Sequence, residues 1–193
     1  MPVAKPGGPP VEHPGGERSG AERPGAERPD DAPQSGRRPV SRRRLSRVAA
    51  VQALYQIDLN GEAPEPVILQ FIQHRLGREV DGMLMDADQD FFVALVRGVS
   101  SRRAELDEKI AAAMTAGRDP DRLEVVLRAI LRAGTFEITA RSDVPPRVAI
   151  KEYIDLTADF FSEKETALTN AILDRVARTA RPEELGGGRA PAG

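Results

Sequence analysis

The stretch RRRLSRVAAVQALYQ, residues 42–56, decides the fold class. From Leu45 onward its apolar side chains recur every three or four residues, which is the spacing of one face of an α-helix. Ser41 can cap the start of such a helix, and Asn60-Gly61 is a turn sequence that can end it. The pattern therefore predicts a first helix from about Ser41 to Leu59.

Outward from this helix, the same apolar spacing continues to about residue 181 and predicts six further helices. The second helix runs from about Glu65 to Gly77, the third includes Phe92–Val99, and the fourth includes Leu106–Met114. The fifth, predicted to be the longest, starts at a cap formed by Asp119-Pro120, and the sixth starts at Pro146. The seventh starts at a capping box formed by Ser162 and Glu165. No alternating strand pattern with hairpin chemistry accompanies them. We therefore predict an all-α, seven-helix bundle with short loops.

The two ends of the chain differ from this middle part. Residues 1–40 are rich in Pro, Gly, Glu and Arg and contain the repeat GAERP at residues 20–24 and 25–29. They hold too little apolar surface to offset the entropy of ordering. We predict a disordered arm over residues 1–40, one helical domain over 41–181, and a disordered tail over 182–193.

Composition narrows the class of protein. The chain has 193 residues and no cysteine, which excludes disulfides, thiolate nucleophiles and cysteine metal sites. No apolar run approaches the roughly 20 residues that span a bilayer, and Gly and Pro follow the first residues in place of a signal peptide. We expect a cytoplasmic protein without a membrane segment.

Catalytic motifs are missing from the sequence. The two histidines are His13, in the predicted arm, and His74, at a charged helix end, and the carboxylates are scattered beside Arg and Lys. Phosphate loops, dinucleotide-binding glycine motifs and nucleophile elbows are absent. We therefore predict no enzymatic activity, no cofactor and no metal.

Positive charge is concentrated in one place. Six arginines and no acid lie between Arg37 and Arg47, which leaves 22 basic residues against 30 acidic ones, a balance of about −8, in the rest of the chain. Guanidinium groups bind phosphates through paired hydrogen bonds and stack on unpaired bases. Arg43, Arg44 and Arg47 lie on adjacent helical turns and would present a basic face to RNA. A merely solubilising charge run is the alternative.

Five segments together resemble the NusB family of bacterial transcription antitermination factors. They are AVQALYQ at residues 50–56, ILRAGTFEI at 130–138, RSDVP at 141–145, VAIKEYID at 148–155 and NAILD at 170–174. They occur in the family's order, and the resemblance covers about Arg42 to Arg181.

The resemblance implies a non-enzymatic, seven-helix factor with two kinds of partner. It would pair with the ribosomal protein NusE, bind the single-stranded boxA element of nascent ribosomal RNA, and join an antitermination complex on RNA polymerase. The implied RNA-binding residues are Arg42, Arg43, Arg44, Arg47, Gln52 and Tyr55. The implied NusE-binding residues are the charges Arg132, Asp143, Glu152 and Asp155, expected to be exposed. Tyr55 could instead be an aromatic at the edge of the core without a role in RNA binding. The four charged residues could instead be ordinary surface charges without a partner.

One segment departs from the family pattern. The family has Phe-Val-Asn-Gly near the start of its last helix, with the Phe close to RNA, whereas this chain has Leu168-Thr169-Asn170-Ala171. Loss of that stacking group would weaken RNA binding by about 1–3 kcal/mol per base. A helical protein-interaction or self-association module, including a homodimer, and a targeting domain for an RNA methyltransferase therefore remain open.

Overall fold

A computed structural model describes residues 40–80, 83–114 and 119–185. The disorder predicted for residues 1–39 and 186–193 lies outside these ranges. The helices are α1 (Arg42–Asn60), α2 (Pro64–His74), α3 (Gln89–Ser101), α4 (Arg103–Ala113), α5 (Val125–Ala140), α6 (Pro146–Ala158), α7 (Glu163–Ala180) and the four-residue α8 (Pro182–Leu185). The predicted all-α fold with seven principal helices is confirmed.

Local sequence fixes both ends of α1. The Ser41 hydroxyl oxygen accepts a hydrogen bond from the backbone N–H of Arg44 at 3.1 Å, which satisfies one unpaired donor of the first turn. At the other end Gly61 has φ 66°, a left-handed conformation that glycine adopts without strain, and its N–H bonds to the carbonyl of Ile57. Both predicted boundaries of this helix are confirmed.

Three local details differ from the predictions. Asp119 caps a single 3-10 turn (Pro120–Arg122) and not a long helix, because Leu123 is extended and α5 begins only at Val125. The 19-residue α1 is therefore the longest helix described. The capping box at the start of α7 is incomplete, since the Ser162 hydroxyl donates to the Glu165 carboxylate and makes no bond to a backbone N–H.

Three short elements were not predicted. Strands β1 (Glu79–Val80) and β2 (Met83–Leu84) pair antiparallel between α2 and α3. Residues 182–185, assigned to the disordered tail, instead form α8. The side chain of Arg181 pairs with Glu184 at 2.6 Å, and Leu185 packs partly against the core, which supplies the buried contact that the tail prediction assumed to be missing.

The centre of the bundle is α5, which packs against α1, α3, α4, α6 and α7. Every residue of α5 from Ala129 to Ile138 is buried, as expected for a helix surrounded on all sides. Gly98 on α3 lets the Phe136 ring approach closely, since a Cβ at this glycine would lie 2.0 Å from the ring. α1 and α6 thus both pack against this central helix.

Within the part of the chain that the structure describes, no helix combines the length and the apolar character needed to cross a membrane.

Candidate nucleic-acid interface

The first turn of α1 carries three arginines in a row. The side chains of Arg42, Arg43 and Arg44 are 65%, 45% and 24% exposed, respectively. This turn contains no acidic residue. Because the N-terminus of a helix already bears partial positive charge, three arginines there are unfavourable for the helix alone and concentrate positive potential at one end. Such a turn is suited to binding an anion.

Each of these arginines contacts a carboxylate from a distant part of the chain. The Arg42 Nε lies 3.2 Å from Asp86, and the Arg43 Nη2 lies 3.2 Å from Asp143. Arg44 donates to Asp159 at 3.0 Å and lies 3.8 Å from Glu152. The candidate surface is therefore a set of partly exposed ion pairs.

Arg141, at the end of α5, extends this surface and was not predicted to belong to it. Its guanidinium donates to Asp143 at 2.8 and 3.1 Å, and this bonding lowers the pKa of Asp143 to about 2. The guanidinium groups of Arg43, Arg47 and Arg141 all lie 5.0–5.2 Å from the centre of the Phe91 ring, within cation–π range. The RSDVP motif, which contains both Arg141 and Asp143, was the signal for this placement.

Arg47 does not share the exposed surface, and its predicted place on a basic face is wrong. It is only 4% exposed and donates to the buried Glu137 carboxylate at 3.0 and 2.5 Å. Tyr153 donates its hydroxyl to the same carboxylate at 2.9 Å, and Glu152 lies 3.4 Å from Arg47. Arg47 is therefore an internal counter-charge that joins α1 to α5 and α6.

The pKa directions agree with this burial. Burial is the largest single influence on Arg47 and disfavours its charge, but the hydrogen bond to Glu137 and the nearby charges, chiefly that of Glu137, together outweigh burial and raise the arginine's pKa. Burial, together with the negative charge of Glu137, raises the pKa of Tyr153 well above its usual value. At physiological pH Arg47 therefore stays a charged guanidinium and Tyr153 a neutral phenol.

Arg132 is also internal, so its predicted exposure is wrong. It is 3% exposed and donates to Asp107 at 2.6 and 2.8 Å and to Asp58 at 2.5 Å. Burial works against the charge, but these two carboxylates raise the pKa of Arg132. The side chain connects α5 to α1 and α4 and offers no free donor face to a partner.

The other three predicted NusE-binding charges are at least partly accessible. Asp143 is exposed beside Arg43, whereas Glu152 is half-buried between Arg44 and Arg47. Asp155, on α6, pairs with Lys151 at 2.5 Å. Of the four, Asp143 and Glu152 thus belong to the arginine surface itself.

Gln52 and Tyr55 lie farther along α1, in a groove of about 480 Å³. Its exposed apolar members are Tyr55, Leu59 and Phe160, and its polar members include Gln52, Gln56 and Asn60. Arg75 donates to the Gln52 side chain at 3.3 Å. Three of the large apolar side chains that are exposed in the described residues therefore lie together in this groove.

The position that departs from the family pattern is not an exposed platform. Leu168 is half-buried and packs against the core. Among residues 40–80, 83–114 and 119–185, no group of three or more His, Cys, Asp or Glu side chains is placed to hold a metal ion.

Comparison with known sequences identifies relatives in the NusB family. A model of the NusB family matches residues 44–178. The transcription antitermination protein NusB of Rhodospirillum rubrum is 43% identical over 180 residues, covering 82% of this chain and 97% of that protein. The protein of the same name from Brucella ovis is 45% identical over 150 residues, covering 77% of this chain and 88% of its own length.

Solved structures show the same fold. The NusB structure from T. maritima superposes with a TM-score of 0.62 at 25% identity, covering 76% of this chain and 98% of that one. A structure described as the antitermination factors NusB and NusE in complex with dsRNA contains a chain with a TM-score of 0.59 at 24% identity, covering 70% of this chain and 96% of its own.

Proposed function

Because this chain belongs to the NusB family, whose curated relatives are transcription antitermination proteins and not enzymes, we propose that it binds RNA through the first turn of α1 and a protein partner through the neighbouring groove. The RNA is a single-stranded, boxA-type element of nascent ribosomal RNA, and the partner is NusE within an antitermination complex on RNA polymerase. The solved complex of NusB with NusE and dsRNA supports testing two classes of partner for this chain, an RNA and a NusE protein.

The observation that carries the RNA proposal is the run of three accessible arginines at the positive end of α1. Their guanidinium groups present paired N–H donors that match phosphate oxygens. Single-stranded RNA supplies phosphates in succession, so one strand can engage several of these groups. Arg42, Arg43 and Arg44 form the proposed RNA site, and Arg47 positions their helix from inside.

The salt dependence of binding follows from this arrangement. Each phosphate neutralised by arginine releases counterions, and the logarithm of affinity falls by about 0.7 per contact for each tenfold rise in salt. Loss of three contacts should therefore reduce the slope by about 2. A chain that bound RNA mainly through stacking would show no such change.

The proposed protein site is the groove around Tyr55, Leu59 and Phe160. Water-exposed apolar side chains collected in one concavity are typical of a protein interface. The amides of Gln52, Gln56 and Asn60 at its edge can bond to a partner's backbone. We therefore reassign Gln52 and Tyr55 from RNA contact to the protein site.

The test of the RNA site compares two triple variants with equal loss of charge. R42A/R43A/R44A removes the proposed site, and R97A/R122A/R178A removes three exposed arginines elsewhere. Affinity for a boxA-type single strand, a scrambled strand and an RNA duplex is measured with and without NusE. We expect the first variant to lose at least tenfold and the second to stay within about twofold. Equal losses in both would refute the site.

The test of the groove uses two exposed leucines. L59D places a carboxylate in the groove, and L69D places one on α2, outside the groove's lining. We expect L59D to weaken NusE binding at least tenfold and L69D to leave it unchanged. If the free protein instead forms a homodimer that L59D dissociates, self-association through this groove is its function.

A further inference from the structure

We propose that the free protein covers its own phosphate-binding arginines with three aspartates, which RNA must displace in order to bind. The aspartates are Asp86, Asp143 and Asp159, one for each of Arg42, Arg43 and Arg44. The inference deepens the proposed function and rests on it, since it concerns the regulation of the same site.

The pairs bring together distant parts of the chain. Asp86 precedes α3, Asp143 lies between α5 and α6, and Asp159 follows α6, whereas all three arginines lie in the first turn of α1. Their separations are 3.2, 3.2 and 3.0 Å. The fold thus places one carboxylate from a different connecting segment against each arginine.

Carboxylates and phosphates use the same arginine donors. Both present oxygen acceptors that a guanidinium binds through charge-assisted hydrogen bonds. An arginine engaged with an aspartate therefore offers fewer donors to RNA, and the aspartate repels an approaching phosphate. In the free protein the three aspartates neutralise the charge that would otherwise attract RNA.

Exposure separates these pairs from the structural ones. The side chains of Asp86, Asp143 and Asp159 are roughly half exposed, so water and salt screen their pairs, and phosphate oxygens can reach the arginines. Glu137, by contrast, is fully buried against Arg47, and Glu152 is held between Arg44 and Arg47. The exposed aspartates can exchange with phosphate while the buried glutamate holds α1 in place.

The three pairs together discriminate between ligands. An isolated anion can displace one weak pair and gains little, whereas a strand with consecutive phosphates can displace all three and gains three contacts. The aspartates would therefore lower affinity for small or sparsely charged anions more than for RNA. Asp143 keeps its bonds to Arg141 when Arg43 turns to RNA, so it need not become unpaired.

The test measures RNA affinity after the aspartates are neutralised. D159N is compared with E108Q, which removes one negative charge from α4, and D86N/D143N/D159N is compared with E108Q/E124Q/E183Q. We expect D159N to bind the single strand about threefold more tightly and the triple aspartate variant about tenfold or more, as estimated for weak exposed pairs. The glutamate variants should stay within about twofold.

A double variant shows whether the aspartate acts through its arginine. In R44A, neutralising Asp159 should give a clearly smaller gain, because the donor it covered is absent and only its repulsion of phosphate is relieved. A gain from D159N that is as large in R44A as in the wild type, or an equal gain from E108Q, would overturn the proposal. If the wild type binds RNA and D159N binds it with the same affinity, the proposal is also overturned, while the RNA site itself stands. Absence of binding in every variant would refute the proposed function as well, whereas binding by the aspartate variants alone would support both.

Discussion

Replacing Arg47 with methionine should damage stability far more than its position in an arginine-rich segment implies. The substitution keeps a long side chain but removes both charge-assisted hydrogen bonds to Glu137. The Glu137 carboxylate, which is 0% exposed, would then retain only the Tyr153 hydroxyl as a donor. Breaking one side of a buried ion pair typically costs about 3–5 kcal/mol, because the remaining charge stays buried without compensation.

Thermal and urea unfolding of the full chain measure this cost. For a domain of this size the loss corresponds to a fall in Tm of about 10 °C. R44M, which breaks the partly exposed pairs with Asp159 and Glu152, is the matched control and should cost less than about 1 kcal/mol. In R47M/E137Q neither charge remains, so this variant should be more stable than R47M alone. A loss below about 1 kcal/mol in R47M, or a double variant less stable than R47M, would refute the reasoning.

Three further changes test other parts of the account. R132M should lower the free energy of unfolding in urea by about 3–5 kcal/mol. R103M, which removes an exposed partner of the same Asp58, should lower it by under about 1 kcal/mol. Equal losses in the two variants would contradict the internal role of Arg132. Arg141 lowers the pKa of Asp143 from 3.8 to about 2, so the pair stabilises the fold above about pH 4 and this contribution disappears as the pH falls through 2. D143N should therefore melt slightly below wild type at pH 6 and together with it near pH 2, and a difference that grows in acid would contradict the sign. G98A should destabilise by about 1–3 kcal/mol because its Cβ would lie 2.0 Å from the Phe136 ring, and a stabilised variant would show that the ring can move freely.

The features predictable from sequence are those set by near neighbours in the chain. Ser41 and Gly61 fix the ends of α1 through bonds that span three or four residues, and the apolar spacing places the other principal helices. The short α8 was missed, although Pro182, two glutamates and Leu185 form a helix-start pattern. Asp81-Gly82, between the two short strands, is likewise a dipeptide favoured in hairpins.

The features that could not be predicted depend on distant partners. The residues near Arg47 in sequence do not indicate that it pairs with Glu137, which is 90 residues away. Those near Arg132 likewise do not indicate its pairing with Asp58. A partial signal was present, since Ala50, Val51 and Leu54 follow Arg47 at helical spacing and place it on the buried stripe. The face of α1 on which Arg47 lies therefore indicates its burial better than its charge does.

The same limit applies to the candidate site. The sequence located Arg42, Arg43 and Arg44 but could not show that Asp86, Asp143 and Asp159 return to them from three connecting segments. It also could not show that Tyr55 shares a groove with Phe160, more than one hundred residues later. These placements arise from the packing of α1 against the rest of the bundle.

In this proposal the accessible arginines of α1 bind RNA, whereas Arg47 and Arg132 hold the fold together. Its most direct test is the arginine Nε–Hε NMR signals of the full chain during titration with a boxA-type single strand, with NusE absent and then present. We predict that the signals of Arg42, Arg43 and Arg44 shift with saturation and that those of Arg47 and Arg132 stay in place. Saturable binding that leaves the first three signals unmoved, or that shifts Arg47 or Arg132, would contradict the account.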